Sequence, residues 1–134
     1  MVEKIHHLGV AVSSLEASIR TYLEGFGLIP SPVEEVPAQK VKLVMLPVGE
    51  SRLELLESTD PDGPIGKFLA SRGEGVHHVA VAVRDIELAL ARAREAGLRL
   101  IDQEPRAGAH GTRVAFVHPR STHGVLLELV EDPL

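Results

Sequence analysis

The chain of 134 residues contains no cysteine, which excludes disulfide bridges, thiolate metal ligands and a cysteine nucleophile. Tryptophan is also absent and aromatic residues make up only 3% of the sequence, so a core has to be built from Val, Leu, Ile and Ala. No apolar run approaches the roughly 20 residues that span a bilayer. The first residues lack the basic and apolar regions of a signal peptide. We therefore predict a cytoplasmic protein with no membrane partner.

Positive charge is not concentrated anywhere in the sequence. The formal net charge is −5 and no block of Lys and Arg marks an extended nucleic-acid surface, so we expect no nucleic-acid partner. Hydrophobic residues at 44% and charged residues at 25% are ordinary for a soluble globular protein. A chain of this length is expected to form one compact domain.

The sequence does contain an internal repeat. The segments Ile5–Val12 and Val76–Val83 read IHHLGVAV and VHHVAVAV, with an offset of 71 residues. Their apolar, β-branched composition predicts two short strands. A helix-start signal follows each strand, because Ser13 and Glu16 form a capping box and Asp85 is a typical N-cap. The chain therefore reads as two related modules.

Three further strands are predicted after each helix. They cover about 28–36, 40–47 and 52–58 in the first half, and about 98–104, 112–118 and 124–131 in the second. We predict an α+β fold in which two tandem β-α-β-β-β modules form a pseudo-twofold, curved mixed sheet around a metal cleft. Within this single domain, module one covers about 1–58, a linker with a short helix covers 59–75, and module two covers about 76–134.

The repeated histidines give each module a candidate metal ligand. Strand alternation places His7 and His78 on faces lined by Gly and Ala, whereas the bulky residues of both strands face the other way, toward a helix. The neighbouring His6 and His77 point to those opposite faces, and we interpret them as structural. A single histidine in a strand is more often a core or surface group than a ligand. The metal interpretation therefore depends on the repetition of the pattern.

Glu54 and Glu128 interrupt the apolar strands that close the two modules. A buried carboxylate without a partner costs several kcal/mol, so both side chains are expected to have a metal ion or another partner. A pseudo-twofold relation between the modules would bring these glutamates and the repeated histidines into one cleft. Such nitrogen and oxygen ligands suit Mn, Co, Ni, Fe or Zn better than Ca. Glu57 and Glu131, three residues further on, are expected to face away and to be solvated.

Several longer segments carry a resemblance to one known family. The linker segment Asp60–Leu69 leads to Gly73–His78, Gly108–Gly111 precedes a late strand, and Phe116–Pro119 is followed by His123–Leu129. Together with the repeated histidines, these segments resemble the methylmalonyl-CoA epimerases of the vicinal oxygen chelate superfamily over almost the whole chain. Members of that superfamily pair two β-α-β-β-β modules around a divalent metal ion.

The resemblance implies an isomerase that interconverts (2R)- and (2S)-methylmalonyl-CoA by proton transfer at C2 through a metal-stabilised enolate. It places the metal ligands of the family on His7, His78 and Glu128, with a fourth ligand position on Glu54. The implied cofactor is a divalent ion, with cobalt or manganese preferred to nickel, zinc or iron. The implied partners are a small-molecule acyl-CoA substrate and a second copy of the chain in a homodimer.

The sequence departs from part of this family at position 43. Some members have a catalytic glutamate there and a glutamine at the fourth ligand position, whereas this chain has Leu43 and Glu54. We hypothesise that the second base has moved to Glu54, so that Glu54 and Glu128 form the catalytic pair. The alternative bases are Lys42 and His110. The phosphates of coenzyme A need cationic contacts, for which the sequence offers Lys40, Lys42, Lys67, Arg106 and Arg120.

Two other functions are compatible with the predicted fold. A glyoxalase I (lactoylglutathione lyase)-like isomerase would use the same four ligands, because it also moves a proton beside a carbonyl group. A metal-free binding protein would lack the ligands and would line its cleft with aromatic residues, which are few in this sequence. The linker and the segment Gly108–Gly111 favour the epimerase.

Overall fold

The computed structural model describes all 134 residues, as eight strands and three α-helices. The strands are β1 (Val2–Ala11), β2 (Glu34–Val36), β3 (Val41–Val48), β4 (Ser51–Ser58), β5 (Gly75–Val83), β6 (Arg106–Ala107), β7 (Arg113–Val117) and β8 (Leu127–Glu131). The α-helices are α1 (Leu15–Phe26), α2 (Pro64–Arg72) and α3 (Ile86–Glu95). None of these helices combines the length and the hydropathy that crossing a membrane requires.

The predicted order β-α-β-β-β is confirmed in both halves, but the strand predicted at 28–36 is too long. The strand observed there, β2, begins only at Glu34. The preceding segment contains Pro30 and Pro32, which have no backbone N–H to donate to a neighbouring strand. The strand β2 therefore begins only after these two prolines.

The strand predicted at 98–104 is wrong. Leu100 forms only an isolated bridge with Val117, and the sixth strand of the chain comes later, at 106–107. In the predicted segment, the side chain of Asp102 accepts the hydrogen bond of the Phe116 backbone N–H at 2.8 Å. A carboxylate thus takes the place that a backbone carbonyl would occupy in a continuous ladder.

Tertiary contacts divide the chain into two units. The N-terminal unit comprises His7–His77, and the C-terminal unit comprises Met1–His6 together with His78–Leu134. In the N-terminal unit, β4 pairs in parallel with β1 and antiparallel with β3, which in turn pairs with β2. Helix α1 covers one face of these strands and α2 contacts β4. The core under α1 contains Val12, Leu15, Val44, Leu46 and Leu55.

The C-terminal unit repeats this arrangement. Its strand β8 pairs in parallel with β5 and antiparallel with β7, which pairs with β6. Helix α3 covers the face that carries Val81 and Val83. In both units the bulky face of the first strand packs under the module helix, as the alternation of side chains predicts.

Side-chain caps set the start of the module helices. Asp85 is confirmed as the N-cap of α3. The N-cap of α1 is Ser14, whose hydroxyl accepts the hydrogen bond of Ala17 N at 3.1 Å, and the predicted cap Ser13 is wrong by one residue. The backbone N–H of Ser13 donates instead to the carboxylate of Glu74 at 2.8 Å. This contact keeps Ser13 outside the helix.

A second carboxylate contacts the start of each module helix. Glu57 Oε1 accepts the hydrogen bond of Leu15 N at 2.7 Å, and Glu131 Oε2 accepts that of Ile86 N at 2.9 Å. The expectation that these glutamates are solvated is wrong, because only 24% and 21% of their side chains are exposed. Each carboxylate bonds an N–H group that has no partner within the helix, and its negative charge lies at the positive end of the helix dipole.

Each of these glutamates also pairs with a cation on the neighbouring strand. Lys42 Nζ lies 3.2 Å from Glu57 Oε2, and Arg113 Nη1 lies 3.2 Å from Glu131 Oε1. Arg113 Nη2 donates in addition to Glu87 Oε1 at 3.0 Å. The hydrogen bond with Glu87 raises the pKa of Arg113, burial lowers it, and the hydrogen bond with Glu131 raises it further.

We predict that Glu57→Ala and Glu131→Ala each lower the free energy of unfolding by about 1–2 kcal/mol, because each removes a charged hydrogen-bond acceptor from a helix N-terminus. Urea denaturation measures this loss. Glu16→Ala is the matched control, since Glu16 is an acidic residue in the first turn of α1 whose side chain is 88% exposed. Its variant should stay within about 0.5 kcal/mol of the parent protein. Equal losses in all three variants would contradict the anchoring role.

Candidate metal centre

The N-terminal unit contains a buried pair of histidine and glutamate. Strands β1 and β4 run parallel with Gly9 opposite Glu54, and alternation places His7 on the same face as Gly9. His7 Nε2 lies 3.2 Å from Glu54 Oε1. The two residues are only 3% and 5% exposed. The first module therefore brings its two predicted ligands together.

The C-terminal unit contains the equivalent pair. Strands β5 and β8 also run parallel, with Ala80 opposite Glu128, and alternation places His78 on the face of Ala80. His78 Nε2 lies 3.1 Å from Glu128 Oε1, and the two residues are 5% and 4% exposed. The duplicated sequence thus produces the same contact, at nearly the same distance, in both modules.

Apolar side chains lie beside both pairs. The cross-strand neighbour of Glu54 is Met45, and that of Glu128 is Phe116. The ring of Phe116 also meets the imidazole of His78 edge-on, with 5.5 Å between the ring centroids. In such surroundings the effective dielectric constant is low, so each carboxylate depends on its imidazole or on a cation. Imidazole nitrogen and carboxylate oxygen are typical ligands of first-row divalent metals.

The other two histidines of the repeat have partners of their own. His6 Nε2 lies 3.0 Å from Asp132 Oδ1, at the end of β8. The imidazole of His77 meets the ring of Phe68 on α2 edge-on, with 5.1 Å between the centroids. These contacts agree with the interpretation of His6 and His77 as structural residues.

The structure shows where Leu43, at the family's glutamate position, and the two alternative bases, Lys42 and His110, lie. Leu43 is fully buried, and its cross-strand partner Leu56 places it on the same face of the N-terminal unit as Glu54. Lys42 points to the opposite face, where it pairs with Glu57. His110 lies in an exposed turn with left-handed backbone angles, φ 56° and ψ 35°.

The basic residues proposed for coenzyme A lie in different surroundings. Lys40 Nζ lies 3.4 Å from the carboxylate of Asp60. A hydrogen bond from the backbone of Asp62 lowers the pKa of Asp60, against a raising effect of burial, and Lys40 lowers it further. Lys67 and Arg120 are exposed. The remaining candidates are Lys42, which pairs with Glu57, and Arg106, which lies over the ring of Phe116.

Two features of the site escaped the sequence reasoning. One is the contact of the Arg106 guanidinium with Phe116. The strand before β7 was predicted at 98–104, so the prediction did not pair Arg106 with the strand that carries Phe116. The other is the pair of helix-anchoring glutamates, Glu57 and Glu131. Their common spacing of three residues from the candidate ligands was visible in both halves and could have indicated a shared role.

Comparison with known proteins places these observations in a family. Residues 6–116 match the model of the Glyoxalase/Bleomycin resistance protein/Dioxygenase superfamily. An ethylmalonyl-CoA/methylmalonyl-CoA epimerase from Cereibacter sphaeroides is 34% identical over 131 residues, which cover 96% of this chain and 98% of that protein. The similarity therefore includes both modules and the linker.

Solved structures show the same relationship. A hypothetical protein from Bacillus halodurans is 42% identical with a TM-score of 0.95, covering 98% of this chain and 95% of that one. A methylmalonyl-CoA epimerase variant from Streptomyces coelicolor, with leucine in place of a glutamate and 2-nitronate-propionyl-CoA bound, is 39% identical with a TM-score of 0.96. It covers 98% of this chain and 96% of its own. These structures confirm the predicted α+β fold class.

Proposed function

The chain belongs to the Glyoxalase/Bleomycin resistance protein/Dioxygenase superfamily, and from this premise we propose that it is a methylmalonyl-CoA epimerase, an isomerase that interconverts the (2R) and (2S) epimers. The near-complete coverage of the epimerase relative supports this proposal over a function shared only with the superfamily. This similarity is the observation that carries the proposal, and the buried histidine–glutamate pair of each module provides groups that can take part in proton transfer.

We propose that His7, Glu54, His78 and Glu128 hold one divalent metal ion. His7, Glu54 and His78 are buried side chains that each offer one ligand atom, and Glu128 is buried as well. This donor set fits cobalt or manganese, with nickel, zinc or iron as alternatives. When bound, the ion supplies a Lewis acid to the thioester oxygen, on which negative charge develops as the C2 proton leaves.

In this proposal Glu54 and Glu128 are also the catalytic pair. Inversion of C2 needs one group that removes the proton and another that returns a proton to the opposite face of the substrate. The Oε atoms of the two carboxylates serve these two roles and exchange them in the reverse direction. Leu43 has no group that transfers protons. Lys42 is on the helix face, where it pairs with Glu57.

The proposal extends to the setting of the enzyme. It treats residues 1–134 as a single domain with its linker at 59–75, acting in the cytoplasm as a homodimer.

A glyoxalase I-like function would use the same donor set. The full-length similarity to an epimerase favours the epimerase over the glyoxalase I-like function. An assay with methylglyoxal and glutathione distinguishes these two functions, and we expect no conversion in it.

We predict that Glu54→Gln slows exchange of the C2 proton with deuterated solvent by at least about 100-fold for one or both epimers, because the amide cannot take up a proton. Nuclear magnetic resonance of each epimer measures this exchange. Glu57→Gln is the matched control, since it alters the same strand on the opposite face and should affect stability alone. If Glu54→Gln exchanged both epimers at the rate of the parent protein, Glu54 would not be a base.

We predict that His7→Ala and His78→Ala each weaken the binding of Co²⁺ by at least about tenfold, since even the loss of an outer-shell partner costs that much. Calorimetric titration of the metal-stripped protein measures this affinity. His118→Ala is the control, because His118 Nδ1 accepts a hydrogen bond from the backbone of Arg120 and is outside the proposed ligand set. Unchanged Co²⁺ affinity in both ligand variants would refute the metal centre.

A further inference from the structure

We infer that Arg106 is a specificity-determining residue that binds an anionic oxygen group of the acyl-CoA substrate. This inference rests on the proposed function, since it concerns the substrate of the same site. Its basis is the position of Arg106 on the sheet of the C-terminal unit, its contact with Phe116, and the charge at the equivalent position of the other module.

The pairing of β6 with β7 places Arg106 on the ligand face. Arg106 is opposite Val114, so both side chains point to the same side of the sheet. Phe116 is two residues beyond Val114 and shares its face, and Phe116 is in turn opposite Glu128. Arg106 therefore lies on the same face as the proposed metal ligands of its unit.

The contacts of Phe116 link the guanidinium to the site. The Arg106 guanidinium carbon lies 5.6 Å from the centroid of the Phe116 ring, a distance typical of cation–π contacts. The same ring lies 5.5 Å from the imidazole of His78. The guanidinium is therefore no more than about 11 Å from the His78 ring, within reach of an extended acyl-CoA thioester.

Asp102 holds Arg106 in place without covering it. The ion pair joins Asp102 Oδ1 to Arg106 Nε at 3.5 Å, while Asp102 Oδ2 accepts the hydrogen bond of Phe116 N. The Arg106 side chain remains 40% exposed. An arginine oriented through Nε can direct its two terminal nitrogens at a carboxylate or a phosphate, which is the geometry of a bidentate ion pair.

The equivalent position in module one carries the opposite charge. The neighbours of the two site glutamates, Met45 and Phe116, correspond to each other. Two residues earlier on their strands, Leu43 is opposite Glu34, and Val114 is opposite Arg106. Glu34 and Arg106 are thus equivalent residues of opposite sign. The guanidinium at this position therefore belongs to the C-terminal unit alone, which is where we place the anion-binding role.

Arg106→Met and Arg106→Lys test this role through the KM for methylmalonyl-CoA. Methionine keeps an unbranched stem but removes the charge, and we expect KM to rise about tenfold with kcat nearly unchanged, as loss of one charge-assisted hydrogen bond implies. Lysine should recover part of the loss. The KM of the parent enzyme should rise with ionic strength more steeply than that of Arg106→Met.

Arg113→Met is the matched control, because Arg113 is on the adjacent strand with a side chain 45% exposed and belongs to the helix-anchoring contacts on the opposite face. Its KM should equal that of the parent. A truncated substrate, methylmalonyl-pantetheine, retains the carboxylate but has no phosphate. A KM rise limited to the CoA thioester assigns Arg106 to the phosphates, and an equal rise with both substrates assigns it to the carboxylate. Either result supports anion binding.

An unchanged KM in Arg106→Met, or the same rise in Arg106→Met and Arg113→Met, would overturn the inference. Calorimetric binding of methylmalonyl-CoA keeps this test separate from that of the proposed function. If the parent protein bound the thioester without epimerising it, the proposed function would fail, and the affinity ratio between parent and Arg106→Met would still decide the role of Arg106.

Discussion

A glutamate carboxylate buried within an apolar strand is the constraint on which the rest of the structure depends. Glu54 and Glu128 are 5% and 4% exposed, and a carboxylate removed from water to this extent is costly without a partner. In each module the partner is an imidazole on the neighbouring parallel strand. A shift of one residue in that pairing would turn the histidine to the helix face. The β-α-β-β-β order provides the parallel pairing, because parallel neighbours need a long connection between them.

The strand that carries each site glutamate is also fixed to the module helix. A spacing of three residues places two carboxylates on opposite faces of one strand. Glu54 therefore contacts His7 on one side, while Glu57 accepts the hydrogen bond of the α1 N-terminus on the other. Glu128 and Glu131 repeat the arrangement in the second module. Each of these strands therefore contacts a histidine on one face and a helix N-terminus on the other, and both modules contain both contacts.

The modules and the candidate ligands could be predicted from the sequence, because repetition identifies them and the alternation of strands sorts their faces without any knowledge of tertiary contacts. Predictions failed where a distant side chain replaces a backbone partner. The backbone N–H of Ser13 bonds to Glu74, and α1 begins one residue later than predicted. The carboxylate of Asp102 accepts the N–H of Phe116 where a strand was predicted. Alternation correctly turned Glu57 away from the site. It could not show that a helix begun 42 residues earlier in the chain covers that face.

The two modules contain the same candidate ligands but differ in their edge strands. The histidine–glutamate pairs are buried, so a substitution of either partner leaves the other buried without it. The edge strands are more exposed, and it is there that Glu34 in one module corresponds to Arg106 in the other. Under the proposed function this division has a chemical reason. Proton transfer at C2 needs one acid or base group on each face of the substrate, which a repeated carboxylate can supply, whereas the thioester has two unlike ends. The symmetric buried strands suit the first requirement, and the unequal edge strands suit the second.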